Sequence, residues 1–367
     1  MLPLYLAEVG LSVRVIGVVL GAAGLGATLG GLPAGSLIAR VGEKPVALGS
    51  LLTIAVATAL LGIPEAAIAL IALQMAFGMG TAGLRLASQT AITQRLDSGI
   101  RGRAMAIMGG AARTGFFVGP LLGGILVDLT GFTSTFLIAG ALTTIGLFSI
   151  LRQSKDDEVL TNNPRLGDRR NIVATLLAHR TLLAKTAIVP ILVLVVREGR
   201  QTVLPLIGED LDLSATAIGA VVAIGAAADL LLFPVSGQLM DRLGRLWGMV
   251  PAFGLIALGL IALGFAWFAG SVLGVILAGI LMGIGNGLSS GAILTLGSDL
   301  APKDATAEFL AGLAAVQSVG RSLGPIVVGV VAAASSLGVA AISLAGAGGF
   351  AILWLVLVIG ETRAPAS

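Results

Sequence analysis

Charged side chains interrupt several long apolar stretches of this sequence, and they are the residues best placed to carry chemistry. A charge at the centre of a bilayer costs roughly 2.5 kcal/mol or more, so such residues usually pair with one another or line a water-filled cavity. Five of them are arginines and two are acids, which leaves a surplus of three positive charges. They are Arg85, Arg113, Arg197, Glu198, Arg200, Asp229 and Arg321.

These charges have two interpretations. In the first they are structural: Asp229 pairs with Arg113 or Arg321, and the arginines nearest the ends of their stretches extend toward the membrane surface. In the second they form a site, where the positive surplus attracts an anionic or carboxylate-bearing molecule and Asp229 or Glu198 carries a proton. Aromatic residues make up only 4% of the chain, so an aromatic cage for a cation is not indicated. The candidate site residues are Arg113, Asp229, Arg321, Arg197, Glu198 and Arg200.

The composition excludes most other kinds of site. Of 367 residues, 56% are hydrophobic and 11% charged, with a mean hydropathy of +1.03. So much apolar surface predicts an integral membrane protein, with the lipid bilayer as its solvent. The chain has no cysteine and one histidine, His179, so we expect no metal site, no cofactor and no enzymatic activity. The pI near 9.8 does not indicate nucleic-acid binding, because the basic residues are spaced between apolar stretches rather than clustered.

The elements that must position these charges are long helices. Apolar runs of about 18–25 residues without strict alternation predict transmembrane helices rather than barrel strands. About eleven are complete, while residues 1–6 resemble the end of another span. The predicted spans are 14–38, 45–63, 66–90, 103–127, 132–151, 182–206, 215–238, 248–268, 270–296, 307–332 and 337–359.

The chain divides into two repeated halves. Residues 1–151 form a predicted N-terminal helix bundle, 152–180 a polar cytoplasmic linker and 181–367 a C-terminal bundle of six helices. With a shift of 202 residues, Gly17 falls on Gly219 and Arg40 on Arg242. With a shift of 205, Gly78 and Gly80 fall on Gly283 and Gly285, and Gly119-Pro120 falls on Gly324-Pro325. Duplicated helix bundles are typical of transporters that bind their substrate between the repeats.

The repeat also suggests a missing helix, because span 182–204 of the second half would have its partner before Met1. We expect an N-terminal truncation by about one helix; the alternative is a natural eleven-span protein. Orientation follows from the loops that hold 16 of the 22 Lys and Arg residues, near 40–44, 95–103, 152–185, 242–245, 303 and 363. By the positive-inside rule these loops, the linker and the C-terminus are predicted to be cytoplasmic, in a multi-pass protein of the cell membrane.

One loop carries a family signature. The segment Gly237-Gln-Leu-Met-Asp241-Arg242-Leu-Gly244-Arg245 resembles the cytoplasmic G-x-x-x-D-R-x-G-R loop of the major facilitator superfamily. Its counterpart in the first half keeps the two glycines and one arginine, as Gly35, Arg40 and Gly42, but has Ala39 in place of the aspartate.

We expect Asp241 to accept hydrogen bonds from Arg101 or Arg103 and to latch the cytoplasmic side in the outward-open state. Ala39 cannot form such a bond, so the inner gate should be asymmetric. The alternative is a solvated basic turn that only sets the topology of the chain.

A second motif bears on the direction of transport. The residues Gly115, Gly119, Pro120, Gly123 and Gly124, preceded by Ala111, resemble the fifth-helix motif of facilitator antiporters, in which Ala111 would be glycine. The glycines form one smooth stripe and Pro120 bends the helix. The resemblance implies export by antiport, whereas ordinary packing of small residues would imply no direction.

A third family feature is absent. Gln74 stands where drug–proton antiporters of this family carry an arginine in the fourth helix, and Arg85 lies about three turns nearer the cytoplasm. The resemblance therefore implies an all-α major facilitator fold of two six-helix bundles, with the first helix largely missing. It also implies a secondary transporter, working as a monomer by alternating access, that exports small organic molecules in exchange for protons. The alternatives are an organic-anion or metabolite transporter of the same fold, and a non-transporting membrane scaffold or degenerate fragment.

Overall fold

The computed structural model describes residues 1–152, 178–303 and 305–362, so most of the predicted linker 152–180 lies outside the described residues. The described part folds into helices without a β-strand. In chain order they are α1 Leu2–Glu8, α2 Val13–Val41, α3 Glu43–Leu60, α4 Ala67–Arg95, α5 Ser98–Arg152, α6 Arg180–Asp210, α7 Ala215–Leu243, α8 Arg245–Phe268, α9 Val272–Leu288, α10 Ala292–Leu300, α11 Thr306–Ala334 and α12 Leu337–Trp354, which ends in a π-helical turn, Leu355–Ile359.

The helices match the predicted membrane spans. Within the described residues, nine helical segments are long and apolar enough to cross a bilayer. One of them, Gly99–Arg152, contains two predicted spans joined at Gly131, whose φ of 78° breaks the helical conformation. Helix α6, with 31 residues, is also long enough to cross a bilayer. It contains too many charged side chains to count among the nine apolar segments.

One predicted span is interrupted. The stretch 270–296 is not a continuous helix, because α9 ends at Leu288 and α10 begins at Ala292. Gly291 lies between them with φ 77°, a left-handed conformation that glycine adopts without steric cost. Hydropathy could not reveal this interruption, since Ser and Gly are tolerated within apolar spans.

The Cα positions group the chain into two compact units. The first holds the described residues of Met1–Gly17, Arg113–Ile125 and Arg169–Ser367, and the second those of Val18–Ala112 and Leu126–Asp168. In the first unit, α6 packs on α11 and α12, while α8 packs on α9 and α12. Its core is a continuous cluster of buried aliphatic side chains that includes Leu260, Leu263, Val275, Met282 and Leu344. In the second unit, α3 packs along α4.

Glycines set the closest helix contacts, and these contacts recur in both halves. In the second unit, a Cβ at Gly78 would collide with the Ala23 carbonyl, and one at Gly80 would meet Ile54 and the Ser50 carbonyl. In the first unit, a Cβ at Gly283 would collide with the Gly225 carbonyl, and one at Gly285 would meet Ile256 and the Ala252 carbonyl. Each residue of the second set is the repeat partner of a residue of the first. The internal repeat of the sequence is thus also a repeat of helix packing.

Candidate functional site

Asp229 lies at the centre of a group of polar side chains within the first unit. One carboxylate oxygen, Oδ2, accepts a hydrogen bond of 2.6 Å from Asn286 Nδ2 on α9. The other, Oδ1, lies 3.6 Å from Arg113 Nε on α5. The exposed fractions of the Arg113 and Asp229 side chains are 24% and 15%, so both are largely removed from the surface. Of the two predicted partners of Asp229, the structure selects Arg113 rather than Arg321.

Arg113 has further contacts around its guanidinium. It donates to the Ser290 hydroxyl, and its Cζ lies 4.0 Å above the centre of the Phe233 ring. Phe233 follows Asp229 by one helical turn, so the ring and the carboxylate lie on the same face of α7. A guanidinium held by a carboxylate, a hydroxyl and an aromatic ring is fixed in orientation as well as in charge.

The interruption between α9 and α10 lies beside this group. The Ser236 hydroxyl of α7 is 2.7 Å from both the Leu288 and the Ser290 carbonyl oxygens. Ser289 Oγ in turn donates to the Asn286 carbonyl at 3.1 Å. Side chains therefore satisfy backbone carbonyls that a continuous helix would have paired internally, as buried carbonyls require. Irregular backbone inside a span is tolerated only where protein surrounds it or water reaches it.

Two arginines of α6 contact the same pair of helices. Arg197 Nη2 donates to the Ser289 carbonyl at 3.2 Å and to the Ser289 hydroxyl at 2.7 Å. Arg200, one turn later, donates to the Met282 carbonyl at 3.0 Å. Neither has an acidic partner within 4.0 Å in the described part of the chain. Arg200 therefore does not extend toward the membrane surface, as one interpretation of the sequence had it, but binds a neighbouring helix.

Glu198 and Arg321 lie at the edge of this group. Arg321 lies within electrostatic range of the Glu198 carboxyl, although no ion pair within 4.0 Å joins them among the described residues. Both side chains are half-buried. We call the whole set the polar cluster. It consists of Arg113, Arg197, Glu198, Arg200, Asp229, Phe233, Ser236, Asn286, Ser289, Ser290 and Arg321.

The structure thus unites five of the six predicted site residues through close contacts or adjacency and places Arg321 within electrostatic range. Sequence reasoning missed Asn286 and three serines, Ser236, Ser289 and Ser290. Asn286 could have been found, because an amide within an otherwise apolar span needs a partner. The serines carry no such signal, since serine hydroxyls within helices usually bond to their own backbone.

The antiporter-like motif makes a close helix contact at only one end. A Cβ at Gly124 would collide with the Ala215 carbonyl of α7, and one at Gly219 would collide with the Pro120 carbonyl of α5. Gly115 and Gly119, by contrast, face open space, and Gly123 approaches only Met1 Cγ. No described atom lies within 4 Å of a Cβ at Gly115 or Gly119, and the role in export that the motif implies stays a prediction.

The repeat partners of these residues form a second contact within the first unit. A Cβ at Gly17 of α2 would meet the Pro325 carbonyl of α11 at 2.5 Å, and one at Gly329 would meet the Val13 carbonyl at 2.7 Å. Val13, Gly17, Pro325 and Gly329 correspond to Ala215, Gly219, Pro120 and Gly124 under the repeat. Two equivalent crossings of α2 with α11 and of α7 with α5 therefore rest on the same Gly-Pro arrangement.

The loop signatures have a common backbone conformation. Gly42 and Gly244 have φ values of 86° and 108°, and each precedes the first residue of a helix. Asp241 pairs with Arg245 of its own loop at 2.8 Å. Arg101 donates to the Leu96 carbonyl at 2.6 Å. The predicted latch between Asp241 and Arg101 or Arg103 stays a prediction.

The other signature residues occupy the ends of α2 and α7. Arg40 and Arg242 lie in the last turn of these helices, where a cation is favourable to the helix dipole. A Cβ at Gly35 would come no closer than 3.7 Å to Leu86, and one at Gly237 would meet nothing. Space alone does not require glycine at these two positions. No group of three His, Cys, Asp or Glu residues in the described ranges is placed to hold a metal ion.

Solved structures share this arrangement of helices. One is the crystal structure of a POT family transporter in complex with 5-aminolevulinic acid, with a TM-score of 0.76 and 15% identity, covering 96% of this chain and 88% of that one. Another is a POT family transporter in complex with a thioalcohol-conjugated peptide, with a TM-score of 0.73 and the same identity and coverage. At such low identity the likeness shows the fold.

Sequence relatives are distant. The chain is 27% identical over 221 residues to the multidrug resistance protein MdtG of Proteus mirabilis, and 26% identical over 222 residues to that of Serratia proteamaculans. These matches cover 57% of this chain and 53% and 52% of the relatives. An MFS-type transporter, ppzB, of Metarhizium rileyi matches at 26% over 136 residues, which is 37% of this chain and 28% of that protein. The chain therefore spans about half or less of the curated relatives it matches. Because the family pattern of the Major Facilitator Superfamily matches residues 1–199 and 186–367, the chain is a multi-pass membrane protein that belongs to that superfamily.

Proposed function

We propose that this protein is a secondary active transporter that works by alternating access and exports small organic molecules in exchange for protons. The observation that carries the proposal is the position of Asp229, which lies within a membrane span between a guanidinium and an amide. An intramembrane acid with defined partners is typical of proton relays in transporters. The two relatives named multidrug resistance proteins support the direction of transport.

Asp229 is the proposed coupling residue. When the carboxylate is ionised, it balances the charge of Arg113 across 3.6 Å. A proton on Oδ1 removes that negative charge, while Oδ2 keeps its hydrogen bond from Asn286. A substrate group that carries a positive charge or donates a hydrogen bond to Oδ1 binds the ionised carboxylate and is released when the proton binds. Proton and substrate thereby compete for the same carboxylate, which is the property that exchange transport requires.

A second candidate function is the transport of organic anions or metabolites. Four arginines of the polar cluster, Arg113, Arg197, Arg200 and Arg321, stand against two acids, Asp229 and Glu198. Several positive charges in a region of low dielectric attract an anion strongly. This surplus favours a substrate that carries a carboxylate over a cationic drug.

Reconstitution of the full chain into liposomes tests the proposal. We expect an acidic lumen to drive uptake of at least one probe from a set containing ethidium, carboxyfluorescein and 5-aminolevulinic acid, and a protonophore to abolish the uptake. Asp229→Asn should lose gradient-driven uptake but keep exchange of labelled for unlabelled probe, because the amide cannot bind or release the coupling proton.

Asp212→Asn is the matched control. Asp212 lies beyond the end of α6 with φ 56°, a conformation that asparagine also tolerates, so the same chemical change is made outside the polar cluster. This variant should transport like the unmodified protein. Coupled uptake that survives in Asp229→Asn would refute the role of Asp229. A folded protein that moves no probe in either direction would instead favour the membrane scaffold.

We further propose that the protein lies in the cell membrane as a monomer, with its linker and C-terminus cytoplasmic. The concentration of basic residues in alternate loops supports this orientation. Labelling of single introduced cysteines in intact cells would test it, because the chain contains no cysteine of its own. A cysteine at Ser336, between α11 and α12, should react from outside, and one at Lys303 should not.

A further inference from the structure

Arg197 uses only one nitrogen of its guanidinium. Both of its hydrogen bonds run from Nη2 to Ser289, to the carbonyl at 3.2 Å and to the hydroxyl at 2.7 Å. Nε is inaccessible to solvent and has no hydrogen-bond partner in the described ranges of the chain. A buried donor without an acceptor is destabilising, so an acceptor at this position would be favourable.

The unused donor lies on the edge of the guanidinium that recognises carboxylates. The N–H of Nε and one N–H of Nη2 point in the same direction, and together they form the fork that binds a carboxylate side-on. Arg95 in the second unit uses this edge, with Nε and Nη2 both donating to Glu43 Oε1 at 2.8 and 2.6 Å. On Arg197, Nη2 of this edge donates to Ser289, while Nε donates to no described atom.

Among the residues that the structure describes, no carboxylate is in place to fill this edge. Asp229 acts on Arg197 electrostatically, but its two oxygens already face Asn286 and Arg113. Glu198 follows Arg197 directly on α6 and therefore points about 100° away around the helix. The charges of Arg200 and Arg113 add to that of Arg197. The balance of the surrounding charges leaves room for one further anion.

We infer that Arg197 is the specificity-determining residue of the transporter, and that its Nε–Nη2 edge binds a carboxylate of the substrate beside the interruption between α9 and α10. Ser289 occupies Nη2 until the substrate arrives and is displaced by it. The inference rests on the proposed transport function, because it assigns a substrate class to the same polar cluster.

Displacement of Ser289 connects binding to helix geometry. The Ser289 carbonyl lies at the interruption, and Arg197 is the side chain that donates to it. Ser236 continues to hold the Leu288 and Ser290 carbonyls on either side. A bound carboxylate would therefore release one of the side-chain contacts that fix the angle between α9 and α10.

Binding to the full chain in detergent, measured by isothermal titration calorimetry, tests the inference. The probes are benzoate and hexanoate, each compared with its primary amide, which has nearly the same shape but no charge. We expect at least one carboxylate to bind more tightly than its amide. Arg197→Gln should reduce that preference by roughly 10- to 100-fold, the effect of losing a charge-assisted pair of hydrogen bonds. Arg197→Lys, which keeps the charge but not the fork, should recover only part of it.

Two further variants separate this role from a merely structural one. Arg200→Gln removes an arginine one turn away on the same helix, whose hydrogen bond goes to the Met282 carbonyl, and should reduce the preference less than Arg197→Gln does. Ser289→Ala should strengthen carboxylate binding severalfold, because it removes the hydroxyl that competes for Nη2. Loss of a supporting contact alone would weaken binding instead. If Arg197→Gln does not fold, Arg197→Lys and Ser289→Ala decide the question.

The outcomes distinguish this inference from the proposed function. Equal losses in Arg197→Gln and Arg200→Gln would overturn it in favour of a diffuse positive charge. Weaker binding in Ser289→Ala would overturn it as well. A protein that transports ethidium but prefers no carboxylate to its amide would leave the proposed export standing and remove Arg197 as the determinant. Absence of any transport by the unmodified protein would count against the proposed function itself.

Discussion

Glu43 in the first half of the chain and Arg245 in the second occupy equivalent positions, 202 residues apart, at the starts of α3 and α8. Each follows a glycine with positive φ and forms an ion pair with the end of a later helix. Glu43 binds Arg95 at 2.6 Å, and Arg245 binds Asp299 at 2.9 Å. Asp299 lies one residue before Leu300, on which Arg95 falls with a shift of 205, so the two pairs join corresponding helix ends with opposite polarity.

The surroundings of the two pairs differ. The Arg245 loop adds an i,i+4 pair with Asp241 and a carboxylate cap from Glu361, whose oxygens accept from the backbone nitrogens of Arg245 and Leu246 at 2.8 and 3.0 Å. In the Glu43 loop, Ala39 stands where Asp241 stands in the other. An ion pair thus joins corresponding helix ends in both halves, although the acid and the base have exchanged places. We expect the contribution of each pair to stability to depend on the other charges around it.

The largest expected effect comes from the turn glycines. Gly42→Ala forces a Cβ onto positive φ and should lower the free energy of unfolding by about 1–2 kcal/mol. Gly244→Ala should cost more, about 2–3 kcal/mol, because its Cβ would also lie 2.8 Å from Glu361 Oε2 and disturb the cap. Thermal unfolding of the purified full chain in detergent measures both. Gly237→Ala, where a Cβ meets nothing, is the control and should not destabilise; equal losses at Gly42 and Gly244 would show that the cap contributes nothing.

Reversing a charge in each pair should have the next largest effect. Arg245→Glu places a third acid beside Asp241 and Asp299 and should cost about 2 kcal/mol. Glu43→Arg sets one like charge against Arg95 at a more exposed site and should cost about 1 kcal/mol. The double reversal of Glu43 and Arg95 should restore stability fully, whereas that of Arg245 and Asp299 should restore it only in part. If both double reversals restored stability fully, the charges around the Arg245–Asp299 pair would make no difference to its contribution to stability.

Removal of the helix cap should have an intermediate effect. Glu361→Gln weakens the acceptors at the first two backbone nitrogens of α8 and should cost about 1 kcal/mol. Thr362→Ala, which removes a hydroxyl that donates to Asp299 at 2.9 Å, is the neighbouring control and should cost less. The corresponding part of the first half lies outside the described residues. A loss for Thr362→Ala as large as that for Glu361→Gln would point to a general effect of this segment rather than to capping.

The smallest effect concerns Ala39. Introducing the missing acid as Ala39→Asp places it four residues before Glu43, where like charges repel, and should cost about 0.3 kcal/mol. In the Glu43→Arg background the same change creates the Asp241–Arg245 arrangement and should stabilise by a similar amount. A double-mutant cycle on unfolding temperatures measures the difference. A coupling energy of zero in this cycle would mean that an i,i+4 pair such as Asp241–Arg245 does not contribute to stability.

The sequence predicted the fold because its main signals are long and repeated. Spans of apolar residues fix the helices, and the matches of Gly17 with Gly219 and Pro120 with Pro325 became equivalent close contacts in space. Both signals average over many residues, so single errors matter little. The superfamily assignment from the loop and helix motifs is confirmed over the whole chain.

The polar cluster was predicted only in part. A charge within an apolar span is conspicuous, and Arg113, Arg197, Arg200 and Asp229 all make polar contacts there. Their partners were not predictable, because the choice of Ser289 or Asn286 depends on helix rotation and on an interruption that hydropathy does not detect. A motif alone also does not locate close packing, since a Cβ at Gly115 or Gly119 would meet no described atom.

Ser236 offers a single hydrogen to two carbonyl oxygens, those of Leu288 and Ser290, at equal distances of 2.7 Å. At any instant one of the two is left to electrostatic attraction alone, and a small rotation of the hydroxyl exchanges them. The joint between α9 and α10 can therefore flex in either direction without breaking a full hydrogen bond. Because the hydroxyl can exchange one carbonyl acceptor for the other, we expect a change in the angle between α9 and α10 to cost less energy than bending a continuous helix.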